Sequence, residues 1–308
     1  MHALILGGYG ASGAGVARLL AAQDHRVTTA GRDRARADRV VDLRDGPDAL
    51  AAVLGGVDVV VNAAGIEDPH LVRTATGAGV AFVDITASGG YMAALERLEP
   101  PAPVLLSVGL APGLTNLLAL AAHGAGAGRV DLALVVGGGE RHGRAGVDWA
   151  FALLGRSFAD PATGAPVRNY TQPARFDLPG LGRRRLYRAD YSDQHTLTRD
   201  LGIPVRTYFG LDSRSATALL AVLARTPGGR HAPRGLPTPG SDRWLALARG
   251  DTGRDAWARG RGQAHATAAV TALATVRAVG LAPGVHHLHR ITALADLPAD
   301  SGIEVHAP

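Results

Sequence analysis

The sequence has no cysteine and no lysine. Without cysteine there is no disulfide, no thiolate nucleophile and no Cys-ligated zinc or iron–sulfur cluster. Without lysine there is no Schiff-base amine, no phosphate-loop lysine of the P-loop NTPase kind, and no Tyr-x-x-x-Lys pair of the short-chain dehydrogenase kind. Long apolar runs are missing too: nothing approaches the ~20 uninterrupted apolar residues of a membrane span. The start, Met1-His2-Ala3-Leu4-Ile5-Leu6, runs straight into glycines. It lacks the charged region, long apolar region and cleavage site of a signal peptide. The expectation is a cytoplasmic location with no membrane partner.

What is present supports a globular protein. The 308 residues are 46% hydrophobic, enough for a sizeable core and about two domains. The net charge is +5, carried by 32 basic residues that are all arginine. They are dispersed, and the densest run is Arg183-Arg184-Arg185. Nucleic-acid binding requires clustering, so no nucleic-acid partner is expected.

The first 120 or so residues alternate short apolar runs with Ala/Leu-rich stretches. Strands are expected over 2–6, 26–30, 40–43, 57–62, 80–85 and 103–107, with helices over 13–22, 48–54, 70–78 and 114–123. Strands spaced by helices of this length mean βαβ units and a doubly wound parallel sheet, so the class is α/β. The pattern changes near Gly124. Strands are expected over 129–137, 183–188, 204–209 and 244–249, and a helix over 148–154. Residues 244–259 read as a hairpin turning at Asp251-Thr252-Gly253. The Pro/Gly-rich 227–240 reads as a surface loop, and 263–279 as an Ala-rich helix. The second part is therefore an α+β domain with a mainly antiparallel sheet.

Residues 7–13 read GGYGASG, and Gly8, Gly10 and Gly13 fit G-x-G-x-x-G. The run follows an apolar strand and opens a helix within the first βαβ unit, the context a Rossmann dinucleotide turn requires. Gly8 is expected to make the tight turn, Gly10 to admit the pyrophosphate, and Gly13 to let helix and strand pack closely. Tyr9, Ala11 and Ser12 complete the candidate phosphate site, with the helix N-terminus facing the anion. The second strand ends at Ala30-Gly31-Arg32-Asp33. Enzymes that use NAD usually place a carboxylate at the strand tip. Here Gly31 and Arg32 stand there, and a guanidinium pairs with a 2′-phosphate. The reading favours NADP(H) over NAD, with Asp33 one residue later as the contrary sign. Asp42 and Leu43 are candidates for the adenine edge. Ala63, Ala64 and Gly65 end the fourth strand with small residues across which a cofactor can lie. Tight strand ends without a ligand are the alternative.

At this point the chain resembles the saccharopine dehydrogenase-like family of NAD(P)-dependent oxidoreductases. The matching segments are GGYGASG (7–13), TTAGRDRARA (28–37), VDVVVNAAG (57–65) and GVAFVDITASGGY (79–91). They continue with GLAPGLTNLLA (109–119), GRGQAHATAA (260–269) and PGVHHL (283–288), and 109–116 is the most discriminating of them. The resemblance implies a split arrangement. Residues 1–123 form an NADP(H)-binding Rossmann domain, 124–262 an inserted substrate-binding and dimerisation domain, and 263–308 a C-terminal helix returning to the first. It implies hydride transfer to or from a small amino-acid-derived imine, a small-molecule substrate and a homodimer. The alternatives are an enoyl reductase of the same family and a non-catalytic NADP(H)-sensing protein. The family's lysine-forming members are associated with a Lys/His pair, which a chain without lysine does not carry.

Hydride transfer leaves the protein to orient substrate and manage one proton. Tyr91, after the fifth strand, is a candidate donor or else a packed aromatic. Asp84 reads as structural, and Glu67, Asp68 and His70 as cleft residues or helix caps. The densest acid–base set is YRADYSDQH at 187–195, from which Tyr191, Asp193 and His195 are catalytic candidates. The alternative for them is a hydrogen-bonded structural network. Arg175 and Arg206 are candidates for a substrate carboxylate. His286, His287 and His289 have no interleaved carboxylate, so no metal is expected.

Overall fold

Runs of valine and leucine that bury on both faces become the parallel strands of the first unit. The computed structural model describes residues 1–139, 151–226 and 240–308. One unit comprises Met1–Leu114 with Ala264–Leu297, the other Thr115–Gln263 with Pro298–Pro308. The first unit contains β1 (His2–Leu6), β2 (Arg26–Gly31), β3 (Arg39–Val40), β4 (Val59–Asn62), β5 (Ala81–Asp84), β6 (Pro103–Leu106) and β15 (Gly284–His287). Their order is β15-β6-β5-β4-β1-β2-β3, and every pairing is parallel. This is a doubly wound Rossmann sheet, extended at one edge by a strand from near the C-terminus.

The connections are α1 (Ala11–Ala21), α2 (Pro47–Ala51), α3 (Pro69–Gly77) and α4 (Gly89–Leu95). Leu4, Leu6, Val60, Phe82, Val104, Leu71, Val72 and Leu95 form the core on one side of the sheet. The third strand is shorter than the expected 40–43. The Asp42 carboxylate accepts the Arg44 N–H, and a short 3-10 turn at Leu43–Asp45 begins there instead. Asp68 caps α3 in the same way, through the His70 N–H.

The segment 109–113 folds back on itself: the Gly109 N–H donates to the Pro112 carbonyl, and Leu114 N–H to the Gly109 carbonyl. From it springs α5 (Leu114–Gly124). The second unit holds β7 (Val130–Val136), a small β8 (Ser157–Ala159) and β9 (Pro166–Arg168) pair, β10 (Thr171–Leu178) and β11 (Gly182–Arg188). Then come α6 (Ser192–Leu201), β12 (Val205–Leu211), α7 (Arg214–Leu223), β13 (Arg243–Gly250), β14 (Asp255–Arg261) and β16 (Glu304–His306). The large sheet runs β10-β11-β12-β7-β13-β14-β16. It is antiparallel except where β12 meets β7. The expected hairpin is β13–β14, and its 251–253 turn closes through Gly253 N–H to the Gly250 carbonyl. Finally α8 (Gln263–Ala278) enters the first unit. A methyl group on Gly15 of α1 would lie 2.7 Å from the Ala268 side chain of α8, so the two helices cross at close range. Of the helix expected over 148–154, residues 148–150 lie outside the described residues, and of the part that is described only 151–152 are helical before a turn begins. The loop expected over 227–240 lies outside them except for residue 240.

Candidate functional site

The buried β1 delivers Gly7 in the left-handed region at φ +72°. The tight turn expected of Gly8 is thus made one residue earlier. The Gly7 carbonyl accepts the Gly10 N–H at 2.8 Å, and Ala14 N–H is bonded to the Gly10 carbonyl at 2.9 Å. Gly10 is the N-cap of α1, and no side chain caps the helix. Its first N–H groups, at Ala11, Ser12 and Gly13, have no acceptor within the helix. A Cβ on Gly13 would sit 2.4 Å from the Gly7 carbonyl oxygen, so helix and turn approach as closely as the sequence predicts. A Cβ on Gly10 would meet only that same oxygen, at 3.1 Å. The exposed space over Gly10 and the uncapped helix start fit a dinucleotide pyrophosphate. The loop after β4 lies against this turn: a Cβ on Gly7 would be 2.8 Å from both the Ala63 oxygen and the Ala64 Cα. Gly65 follows, exposed, at φ +70°.

At the tip of β2, Gly31 lies under the Tyr9 ring and Arg32 is exposed. The Asp33 carboxylate turns back on its own loop and accepts the Ala35 N–H at 2.9 Å. Asp42 is occupied as well, and hydrogen bonds from the Arg44 side chain and backbone hold its carboxyl down at about 2. Leu43 does not line this surface. It is buried in the core with Val41 and Leu50.

A second polar group lies at the ends of β4 and β5. Buried Asp84 accepts from the Asn62 side chain at 2.9 Å, the Thr86 N–H at 2.8 Å and the Tyr91 hydroxyl at 3.1 Å. Burial raises its carboxyl above the usual range, against the lowering by these donors. Burial also raises the Tyr91 phenol, and the Asp84 charge adds to that. Tyr91 therefore holds its proton and directs it inward to Asp84. Glu67 joins the group through Ser88, and its carboxyl too is raised by burial.

In the second unit the YRADYSDQH segment becomes the end of β11 and the first turn of α6. His195 Nε2 lies 2.7 Å from an Asp190 oxygen, and both side chains are partly exposed. Asp193 is fully buried, takes the Thr207 hydroxyl at 2.6 Å and the Gln194 N–H at 2.7 Å, and has its carboxyl raised by burial. Tyr191 is buried with its ring stacked on Phe209, and burial raises its phenol far above the ordinary value. Beneath them Arg188 is 2% exposed, bonded to Asp160 at 2.9 Å and to Gln194 at 3.0 Å. Arg206 adds a longer contact to Asp160 at 3.7 Å. The Arg175 carbonyl accepts from Arg249, and the Arg175 side chain itself is exposed.

Sequence reasoning passed over Asp190, Arg188 and Asp160. Asp190 and Arg188 lie inside YRADYSDQH, and the spacing Asp190–His195 was the available signal. Asp160 is 28 residues from Arg188, with no local signal joining them. The C-terminal histidines are also engaged: His287 bonds Ser107 and Glu96, each at 3.0 Å, fastening β15 to β6 and to the end of α4. Among the described residues no group of three or more His, Cys, Asp or Glu is placed to hold a metal, and no helix is long and apolar enough to cross a membrane.

Residues 3–103 match the family described as the saccharopine dehydrogenase NADP binding domain, which makes NADP(H) the dinucleotide. The whole chain is similar to a saccharopine dehydrogenase (L-Glu forming) from Saccharomyces cerevisiae, at 14% identity, 94% coverage of each chain and a TM-score of 0.61. It is also similar to an amine dehydrogenase from Mycobacterium smegmatis, at 12% identity, 98% coverage of each chain and a TM-score of 0.50. At these identities the likeness shows the shared fold, a parallel sheet followed by a mainly antiparallel one. No curated protein matches the chain.

Proposed function

We propose that this chain, which is saccharopine dehydrogenase-like and carries an NADP-binding domain over residues 3–103, is an NADP(H)-dependent oxidoreductase acting on a C–N bond of a small amino-acid-derived substrate. The observation that carries the reading is the uncapped start of α1 beneath the open Gly10, with Arg32 exposed at the tip of β2. When bound, the nicotinamide supplies or accepts a hydride. The two structures similar over the whole chain, a saccharopine dehydrogenase and an amine dehydrogenase, support a C–N bond as the reacting group.

The chain's own residues then have distinct tasks. Backbone N–H groups of Ala11, Ser12 and Gly13 bind phosphate, and Ala63, Ala64 and Gly65 leave room for the cofactor along the strand ends. His195 handles the proton. Asp190 holds one ring nitrogen and fixes the ring's orientation. Asp193 and Tyr191 are buried supports of the α6 turn that presents His195. Tyr91 and Asp84 shape the ends of β4 and β5.

The test is NADPH oxidation across a panel of cyclic and acyclic imines and keto acids with amines. Wild type oxidises NADPH with an imine, and His195→Ala lowers kcat about 10²- to 10⁴-fold with unchanged NADPH affinity. Undiminished turnover in His195→Ala removes that residue from the chemistry. NADPH binding without turnover on any member of the panel contradicts the C–N assignment.

A further inference from the structure

The NADP(H) site has a second cation that the strand-tip motif does not contain. Arg36 lies four residues beyond Arg32, on the loop after β2. Its guanidinium carbon sits 4.6 Å from the centroid of the Tyr9 ring, and its Nη2 donates to the Tyr9 backbone carbonyl at 3.0 Å. Tyr9 belongs to the glycine turn, yet its hydroxyl accepts the N–H groups of Arg32 at 3.1 Å and Asp33 at 3.3 Å. Its ring lies over Gly31 so closely that a Cβ there would be 2.4 Å from ring carbon Cε1. One side chain therefore ties the pyrophosphate turn, the tip of β2 and the Arg36 guanidinium into a single unit.

The charges around this unit are unevenly matched. Asp33 is bonded to the Ala35 N–H. Asp38 accepts both the N–H and the hydroxyl of Thr29, each at 2.8 Å. Asp42 is paired with Arg44. Each of these carboxylates is thus engaged with another partner, whereas among the described residues Arg36 commits a donor only to a neutral carbonyl. A guanidinium has five N–H donors in a planar fork, so most of this one's remain for an anion. Stacking on an aromatic ring fixes the plane of the fork in advance, which reduces the ordering cost of binding.

We infer that Arg36, held on Tyr9, is a second ligand of the ribose 2′-phosphate beside Arg32, and that Tyr9 is the positioning residue for both. The inference rests on the assignment of this turn to NADP(H). It adds that the preference for the 2′-phosphate is built partly from the glycine turn itself. An NAD-preferring variant then requires changes at residues 9 and 36 as well as at 32.

The experiment uses adenosine 2′,5′-bisphosphate and 5′-AMP as probes, titrated into the full chain by calorimetry, with thermal melts to check folding. Wild type binds the bisphosphate more tightly than AMP. Arg36→Ala weakens the bisphosphate about 10- to 100-fold, as loss of a charge-assisted hydrogen bond implies, and leaves AMP within about twofold. Tyr9→Leu gives part of the same loss, and the double variant loses less than the sum of the two single losses, as coupled residues do. An unchanged bisphosphate affinity in Arg36→Ala overturns the inference while leaving the NADP(H) site standing. Equal affinity of wild type for the two probes overturns the 2′-phosphate assignment and the inference together.

Discussion

A methyl group added at Gly10 and one added at Gly13 do different damage. At Gly13 the new carbon meets the Gly7 carbonyl oxygen at 2.4 Å, and a backbone oxygen cannot step aside cheaply. Gly13→Ala is expected to cost about 1–3 kcal/mol of stability, the range for overpacking, seen as a lower Tm. At Gly10 the new carbon meets the Gly7 carbonyl oxygen at 3.1 Å, a milder contact at an exposed position, and the helix cap is altered. Gly10→Val is expected to stay within about 1 kcal/mol of wild type while abolishing NADPH binding. Thermal melts with NADPH titration separate the two outcomes, and unchanged NADPH affinity in Gly10→Val would reject the turn as the cofactor site. Much of this was legible in GGYGASG, because strand, turn and helix are local. What was not legible is the ring of Tyr9 over Gly31, which depends on two loops meeting in space. Leu43 was placed at the adenine edge from its position after a strand. The structure buries it, because the Asp42 cap starts a turn that directs Leu43 into the core.

Elements with an apolar signature were readable, and those with a polar interior were not. The strands of the parallel sheet are near-continuous apolar runs, and five of the six expected there match observed strands closely. Helix α6 was missed because it buries Ser192, Asp193, Gln194 and Thr196, so no apolar stripe marks its inner face. Strand β10 contains Pro173 and alternates exposed polar residues at the edge of its sheet, where proline is tolerated. Strand β15 carries two histidines and pairs with β6 from about 180 residues away, a contact no local window reports. The polar interior around α6 makes a prediction of its own. Arg188 and Asp160 are nearly inaccessible and join β11 to the turn between β8 and β9. Arg188→Met leaves the buried Asp160 carboxylate without its close guanidinium, with only the longer Arg206 contact and loop N–H groups, and is expected to cost about 3–5 kcal/mol. Adding Asp160→Asn should restore part of that loss. Denaturant unfolding of the two variants checks this, and equal stability of wild type and Arg188→Met would show that the pair is not structural.

For the whole molecule, alternation of strands and helices announced the parallel sheet, and the change near Gly124 announced a different architecture. The order of strands in the second sheet was beyond the sequence, since its pairings join segments separated by inserted helices. The chain's charge had a clearer meaning once folded. Its arginines are dispersed along the sequence, but folding brings Arg32 and Arg36 to one strand tip where the carboxylates are already engaged. That tip is where the functional account is most exposed to refutation. Titration of the full chain with NADPH and, separately, NADH, followed by nucleotide fluorescence, tests it directly. The account predicts saturable binding with NADPH at least about tenfold tighter, as one charge-assisted contact to the 2′-phosphate implies. Equal affinity for the two nucleotides, or no binding of either, would contradict it.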